Sequence, residues 1–377
     1  SGFGTGMGGL LQSLGRRPMS TLEKLARQLV EEGGSDLHIA AGSPPMMRID
    51  GHLEATGEEK LDAEASKKLV YAILSAEQVK RFEEDLELDM SFGIEDLGRF
   101  RTNVFLQRDA VGAVLRVIPR ETIPFTELGL PPEACERICN LRKGLVLVTG
   151  ATGSGKSTTL SSMVDYINSS RNEHIMTIED PIEFIHTNKG CLVNQREVGS
   201  DTHGFRNALR TALRQDPDVI MVGEIRDQET ISAALTIAET GHLTFATLHT
   251  NSVVQTVNRV IDVFPAHQQA QIRTQMSFTL EAVFCQQLVP RANGKGRVLA
   301  AEVLMATAAV RALVREDKVH QLESVVQTGG RLGMKTMNQS LLEHCKKGRI
   351  SFKDAMRYSA SPDEVERLYN KIGGVCV

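Results

Sequence analysis

The eight residues from Gly150 to Ser157, GATGSGKS, place a lysine and a hydroxyl at the end of a glycine-rich run that follows the apolar stretch GLVLVT. A G-x-x-x-x-G-K-[ST] pattern between a strand and a helix is a phosphate cradle. Its glycines let backbone N–H groups converge on phosphate oxygens, the helix starting there points its positive end at the same place, and the lysine neutralises the β and γ charges. Gly150, Ala151, Thr152, Gly153, Ser154, Gly155, Lys156, Ser157 and Thr158 are therefore the expected contacts of a nucleoside triphosphate, with the Ser157 hydroxyl set to ligate Mg²⁺.

Hydrolysis also needs carboxylates, to orient water and to hold the metal while charge moves onto the leaving oxygen. Two apolar runs end in acids. IMTIEDPIEF (Ile175 to Phe184) closes with Glu179, Asp180 and Glu183 around a proline that enforces a turn, and PDVIMVGEIRD (Pro217 to Asp227) closes with Glu224, long enough to reach a magnesium ion through a water. Ligands of open α/β sheets sit at the carboxyl ends of strands, where both sets fall. Spacing leaves open which of Glu183 and Glu224 is the base. His242 and His249 flank LTFAT, seven residues apart. An odd spacing puts them on opposite faces of a continuous strand, so both reach one ligand only where one lies beyond the strand.

The scaffold for these residues is an alternation of GLVLVTG, IMTIED, VIMVGE and LTFATLH with helical stretches, the pattern of a mostly parallel sheet covered on both faces. From about 266 onward the chain reads as mainly helical. Ahead of the sheet, a capping-box helix with Leu22, Leu25 and Leu29 on one face stops at Gly33-Gly34, and two short alternating runs flank Ser43-Pro44-Pro45. One helix is expected from about Leu61 to Leu86, then two strands joined at Arg108-Asp109. The connector PRETIPFTELGLPP carries four prolines and marks a boundary. The expected organisation is a flexible extension or cloning scar at 1–19, an α+β domain at 20–119, a linker at 120–132, and a nucleotide domain at 133–377 ending in helices over about 266–377.

A formal charge of −4 and 41% hydrophobic residues fit a globular chain and argue against one built to coat nucleic acid. With no basic platform bearing aromatic residues, direct nucleic-acid binding is not expected. The six cysteines form no C-x-x-C pair, so a reduced, cytoplasmic chain is the simplest reading. No apolar run is long enough to span a bilayer, and membrane association is expected only through partners.

In order, GATGSGKST, TIEDPIEF, DVIMVGEIRD and GHLTFATLHTNS resemble the Walker A, Asp box, Walker B and His box of the bacterial secretion ATPase superfamily, and most closely its PilT-like type IV pilus retraction motors. The resemblance runs from about 21 to 368. It implies an α/β chain in which a PAS-like α+β domain precedes a RecA-like P-loop NTPase domain with a C-terminal helical region. It implies a homo-hexamer that hydrolyses ATP to ADP and phosphate, with Mg²⁺, at subunit boundaries. Glu183 matches the glutamate regarded as general base and Glu224 the one on the metal side. His242 and His249 match the paired His-box histidines, and Arg101 and Arg116 the arginines reaching toward nucleotide from the first domain. The implied setting is the cytoplasmic face of the inner membrane, with a PilC-like platform protein as partner, pilin as indirect partner and twitching motility as output. A related secretion or DNA-transfer motor, or a PilU-like accessory to a paralogous retraction ATPase, is the other reading. AVRALVRE (Ala309 to Glu316) resembles the retraction-associated AIRNLIRE, departing at Val310, Ala312 and Val314. On a helix its apolar Val310, Leu313 and Val314 share a face while Arg311 and Arg315 lie four apart on another side.

Overall fold

The computed structural model describes residues 21–371 apart from Asp50 and Glu95. The extension assigned to 1–19 lies outside the described residues. The chain divides after Ile118 into two units.

The first unit is a six-stranded antiparallel sheet of β1 (Asp36–Ile39), β2 (Met46–Ile49), β3 (His52–Ala55), β4 (Glu87–Ile94), β5 (Gly98–Gln107) and β6 (Ala110–Ile118), ordered β3-β2-β1-β6-β5-β4. Its core forms because the helix Thr21–Glu31 turns Leu22, Leu25 and Leu29 toward Leu37, Phe100 and Leu115 of the sheet, all buried. Arg108 and Asp109 take φ of 49° and 61°, the left-handed pair that a two-residue hairpin between twisted strands requires. The single helix expected over about 61–86 is instead two, Ala63–Tyr71 and Ala76–Asp85. Ser75 accepts the Gln78 amide while the Gln78 side chain accepts the Ser75 amide, and this capping box starts a new helix where apolar spacing alone runs on.

The second unit carries a seven-stranded sheet of β7 (Gly144–Thr149), β8 (His174–Glu179), β9 (Leu192–Glu197), β10 (Val219–Val222), β11 (Leu243–Leu248), β12 (Leu280–Pro290) and β13 (Arg297–Met305). The order is β13-β12-β7-β11-β10-β8-β9, parallel throughout except for the β12–β13 hairpin. Every residue of β7, β10 and β11 is buried, as their unbroken apolar runs demand. Parallel pairing brings the carboxyl ends of β8, β10, β11 and β7 to one edge. The four sequence motifs follow those ends.

The chain from about 266 is mainly helical, but it also contains the strands β12 and β13, paired from Ala282 with Met305 to Pro290 with Arg297, which that expectation did not include. Leu280 to Val289 is a mixed apolar run whose spacing suits helix or strand equally, and the turn glycines Gly294 and Gly296, with φ of 73° and 75°, decide for a hairpin. Among the described residues five α-helices follow, from Ala308–Arg315 to Pro362–Lys371, and their Leu341, Leu342 and Val365, with Ile350 between two of them, cluster with Val289 and Val298 of the hairpin. Cys135, Cys139, Cys191 and Cys285 are free and buried, whereas Cys345, which the composition leaves reduced, is disulfide-bonded.

Candidate functional site

A cavity of about 660 Å³ opens at the carboxyl edge of the second sheet, lined by Thr152, Gly153 and Gly155 to Thr158, by Glu179 to Pro181, Glu183 and Phe184, by Glu224 and Arg226, and by His249. Its floor is the loop between β7 and the helix Lys156–Ser170. Gly150, Gly153 and Gly155 have φ of 142°, 77° and 90°, so the loop bends where side chains are disfavoured. At Gly150 a Cβ would also meet the Gln286 carbonyl and the Ser154 hydroxyl. Buried Gln286 on β12 anchors the same loop, donating to the Ser154 carbonyl at 3.0 Å and accepting from Thr159 Oγ1 at 3.0 Å. The first amides of the helix lack intrahelical partners and face the cavity mouth. Ser154 Oγ is buried with no partner among the described residues. The amides at the start of the helix and the Lys156 ammonium are donors suited to an anion of several oxygens.

Lys156 folds back over the loop, donating from Nζ to the Gly150 carbonyl at 2.8 Å and the Ala151 carbonyl at 3.2 Å, and lying 3.4 Å from His249 Nδ1. Burial lowers its pKa, and the charges of Glu224 and Glu183 pull it back up. His249 Nε2 lies 2.9 Å from Glu224 Oε1. Arg226 grips Glu224 with two bonds, Nε to Oε1 at 2.5 Å and Nη2 to Oε2 at 2.7 Å. Burial alone raises the Glu224 pKa, but the hydrogen bonds and charges of Arg226 and His249 prevail and hold the carboxylate ionised below its usual range. Gly223 ahead of it leaves room for β8, since a Cβ there sits 3.2 Å from the Ile178 carbonyl, and its own carbonyl accepts the Thr247 hydroxyl.

On the other wall, β8 ends at Glu179 and the Asp180-Pro181 bond is cis. Glu179 is 7% exposed. It accepts from Thr177 Oγ1 at 2.6 Å, Gln195 Nε2 at 3.1 Å and the Glu183 amide at 3.4 Å. Burial pushes its pKa up to about 7 against those bonds. Glu183 is exposed and lines the cavity with Lys156, Ser157 and Glu224.

Of the residues expected from sequence, Thr152, Gly153, Gly155, Lys156, Ser157, Thr158, Glu183, Glu224 and His249 line one space, and Gly150, Ala151 and Ser154 of the same loop do not line it. His242 stands before β11, at the end of the strand away from His249, with Nδ1 3.1 Å from the Ile237 carbonyl. Both histidines lie just outside the strand they flank, so the alternation of its faces does not govern them. In the first unit, Arg101 and Arg116 are cross-strand partners on β5 and β6. Arg101 is exposed, and Arg116 donates from Nε to the buried Asp36 at 2.8 Å. Arg226, Gln195 and Gln286 were not singled out from sequence. Only Arg226 carried a local signal, two residues beyond Glu224 in the same quoted run.

In AVRALVRE, Val310 and Val314 are buried in the helix Ala308–Arg315. Arg311 turns inward to the carbonyls of Ser277 and Phe278 at 3.0 and 3.1 Å and to Glu281 at 2.8 Å, while Arg315 is exposed. Among the described residues no helix is long and apolar enough to cross a membrane.

Residues 16–357 match the family model of the type II/IV secretion system protein. The chain is 50% identical, over 88% of its length and 96% of the relative's, to the type IV pilus retraction ATPase PilT of Pseudomonas aeruginosa. It is 42% identical to the type IV pilus ATPase PilU of the same organism, over 93% of this chain and 91% of that one. Among solved structures, the pilus retraction motor PilT with bound ADP superimposes with a TM-score of 0.86 at 48% identity, covering 93% of this chain and 99% of that one.

Proposed function

We propose that this chain, which belongs to the type II/IV secretion system protein family, is an ATP-hydrolysing motor subunit that powers type IV pilus retraction. The observation that carries the reading is the convergence of four strand ends on one cavity, in a chain similar along nearly its whole length to a retraction ATPase. Lys156 and the loop amides bind the triphosphate of ATP, and Glu183 is the general base. Its exposed carboxylate faces the same space as Lys156, where a water attacks the γ-phosphate in line. The first unit is PAS-like and the second RecA-like.

Magnesium fits this donor set. Among the described residues no cluster of three His, Cys, Asp or Glu forms a cage, and Ser157 and Glu224 share the cavity, which suits an ion that arrives with phosphate oxygens as its remaining ligands. Bound there it supplies positive charge to the β and γ oxygens. The working form is a homo-hexamer, with nucleotide at subunit boundaries and Arg101, Arg116 and His242 acting there. Binding of ATP closes the boundary, and hydrolysis reopens it as the γ-phosphate contacts are lost. The ring stands at the cytoplasmic face of the inner membrane, engages a PilC-like platform protein and withdraws pilin. A second reading, a PilU-like accessory subunit to a paralogous motor, draws on the likeness to PilU.

Purified full-length protein hydrolyses ATP, and Glu183→Gln lowers kcat by roughly a hundredfold or more with ATP still bound. Lys156→Ala loses ATP binding itself. Absence of turnover in the wild type sinks the motor reading and favours the accessory one, and a deletion strain that still retracts pili, with no paralogue to compensate, sinks the retraction assignment.

A further inference from the structure

Residues 180–186 carry Glu183 on irregular backbone between β8 and β9, and such a segment is held by whatever its neighbours supply. Gln195, near the middle of β9, supplies two of its backbone anchors, beside the Pro119 carbonyl that takes the Ile185 amide at 3.2 Å. Its Nε2 donates to the Phe184 carbonyl at 2.8 Å and to Glu179 Oε1 at 3.1 Å, and its Oε1 accepts the His186 amide at 2.8 Å. Those three anchor points bracket Glu183 on both sides. Glu197, two residues on and so on the same face of the strand, takes the Ile182 amide at 3.2 Å.

We infer that Gln195 is a positioning residue for ATP hydrolysis, one carboxamide that fixes both ends of the segment bearing Glu183 and so sets where that carboxylate stands in the cavity. The inference deepens the proposed function and rests on Glu183 being the base. Only an amide satisfies the site. A carboxylate at 195 turns an acceptor toward a carbonyl and a second carboxylate, and an alkyl group leaves the His186 amide, the Phe184 carbonyl and Glu179 without their partner. None of the three bonds touches the glycine-rich loop, so that loop keeps its own contacts in a variant at 195.

The test is steady-state ATPase kinetics on the full chain with Mg²⁺, comparing wild type, Gln195→Glu, Gln195→Leu, Glu183→Gln and the double variant Gln195→Leu/Glu183→Gln, with thermal unfolding run on each. Both Gln195 variants are expected to lower kcat by roughly tenfold or more while KM for ATP stays within about threefold. In the Glu183→Gln background, Gln195→Leu is expected to change the residual rate by less than about twofold, because a residue acting through Glu183 has nothing left to act through. The near-isosteric Gln195→Glu carries the comparison should Gln195→Leu fail to fold. Wild-type kcat in both folded variants, or an equal drop in both backgrounds, overturns the inference. Full activity in Glu183→Gln instead removes the base assignment beneath it, a result that the single variants distinguish.

Discussion

At the scale of single residues, the glycine-rich loop was legible because its requirement is local: a backbone that bends to positive φ needs glycine whatever surrounds it. Gly150 and Gly153 test how far that goes. Both have positive φ, but a Cβ at Gly153 meets nothing within 4 Å whereas one at Gly150 runs into the Gln286 carbonyl and Ser154. Gly153→Ala is expected to lower stability by roughly 1 kcal/mol, the backbone cost alone, and Gly150→Ala by roughly 3 kcal/mol because β12 or the loop must shift as well. Urea unfolding of the two variants beside wild type measures the difference, and equal losses refute the steric part. Gln195 and Gln286 stayed invisible in the sequence for the converse reason. Each is an ordinary glutamine in a strand, and its importance lies in which distant backbone groups the fold brings to it.

Elements show the same division. The four strands that end at the site announced themselves as short apolar runs with acids, glycine or histidine at one end, since strands buried on both faces leave little other choice of residue. β4, β9 and the β12–β13 hairpin did not. β9 carries polar residues on both faces, Asn194 and Arg196 on one and Gln195 and Glu197 on the other, β4 alternates but follows directly on the helix Ala76–Asp85, and β12 lacks a period that separates strand from helix. The helix of AVRALVRE was legible in its apolar face but not in its arginine. Arg311 closes the end of the preceding helix Ala266–Thr279, taking the Ser277 and Phe278 carbonyls that no further helical amide reaches, and it pairs with Glu281 at the start of β12. Arg311→Ala is therefore expected to lower stability by roughly 2–3 kcal/mol, since it removes charge-assisted bonds and strands a half-buried carboxylate. Arg311→Lys is expected to recover part of that through its charge, without the fork. Denaturant unfolding measures both, and a loss below about 0.5 kcal/mol for Arg311→Ala would mark the residue as a surface group.

At the scale of the whole molecule, buried ionisable groups make stability depend on pH in opposing directions. Burial pushes both Glu179 and Glu302 up to about 7. Glu302 on β13 is 8% exposed, accepts the Val253 amide at 2.8 Å at the start of the helix Val253–Asp262, and feels the repulsion of Glu323. For these two the folded chain holds a proton that the unfolded chain has released. Their stabilising contribution is complete below the unfolded carboxylate range near 4.5 and is lost as pH climbs through about 7. His186 acts the other way. Burial brings its pKa down to about 4, so the unfolded chain binds the extra proton and stability is lost as pH falls from about 6.5 to about 4. The overall profile is a sum that no single group dominates, but a difference profile isolates one. Glu302→Gln keeps an oxygen for the Val253 amide and removes the titration. Relative to wild type the variant is expected to gain on the order of 2 kcal/mol between pH 5 and pH 8, nearly all of it acquired by pH 7.5. Unfolding free energies of the two proteins across that range give the comparison directly: parallel curves mean that Glu302 does not titrate there, and a gain that instead appears on acidification means that its proton is bound more tightly by the unfolded chain than by the folded one.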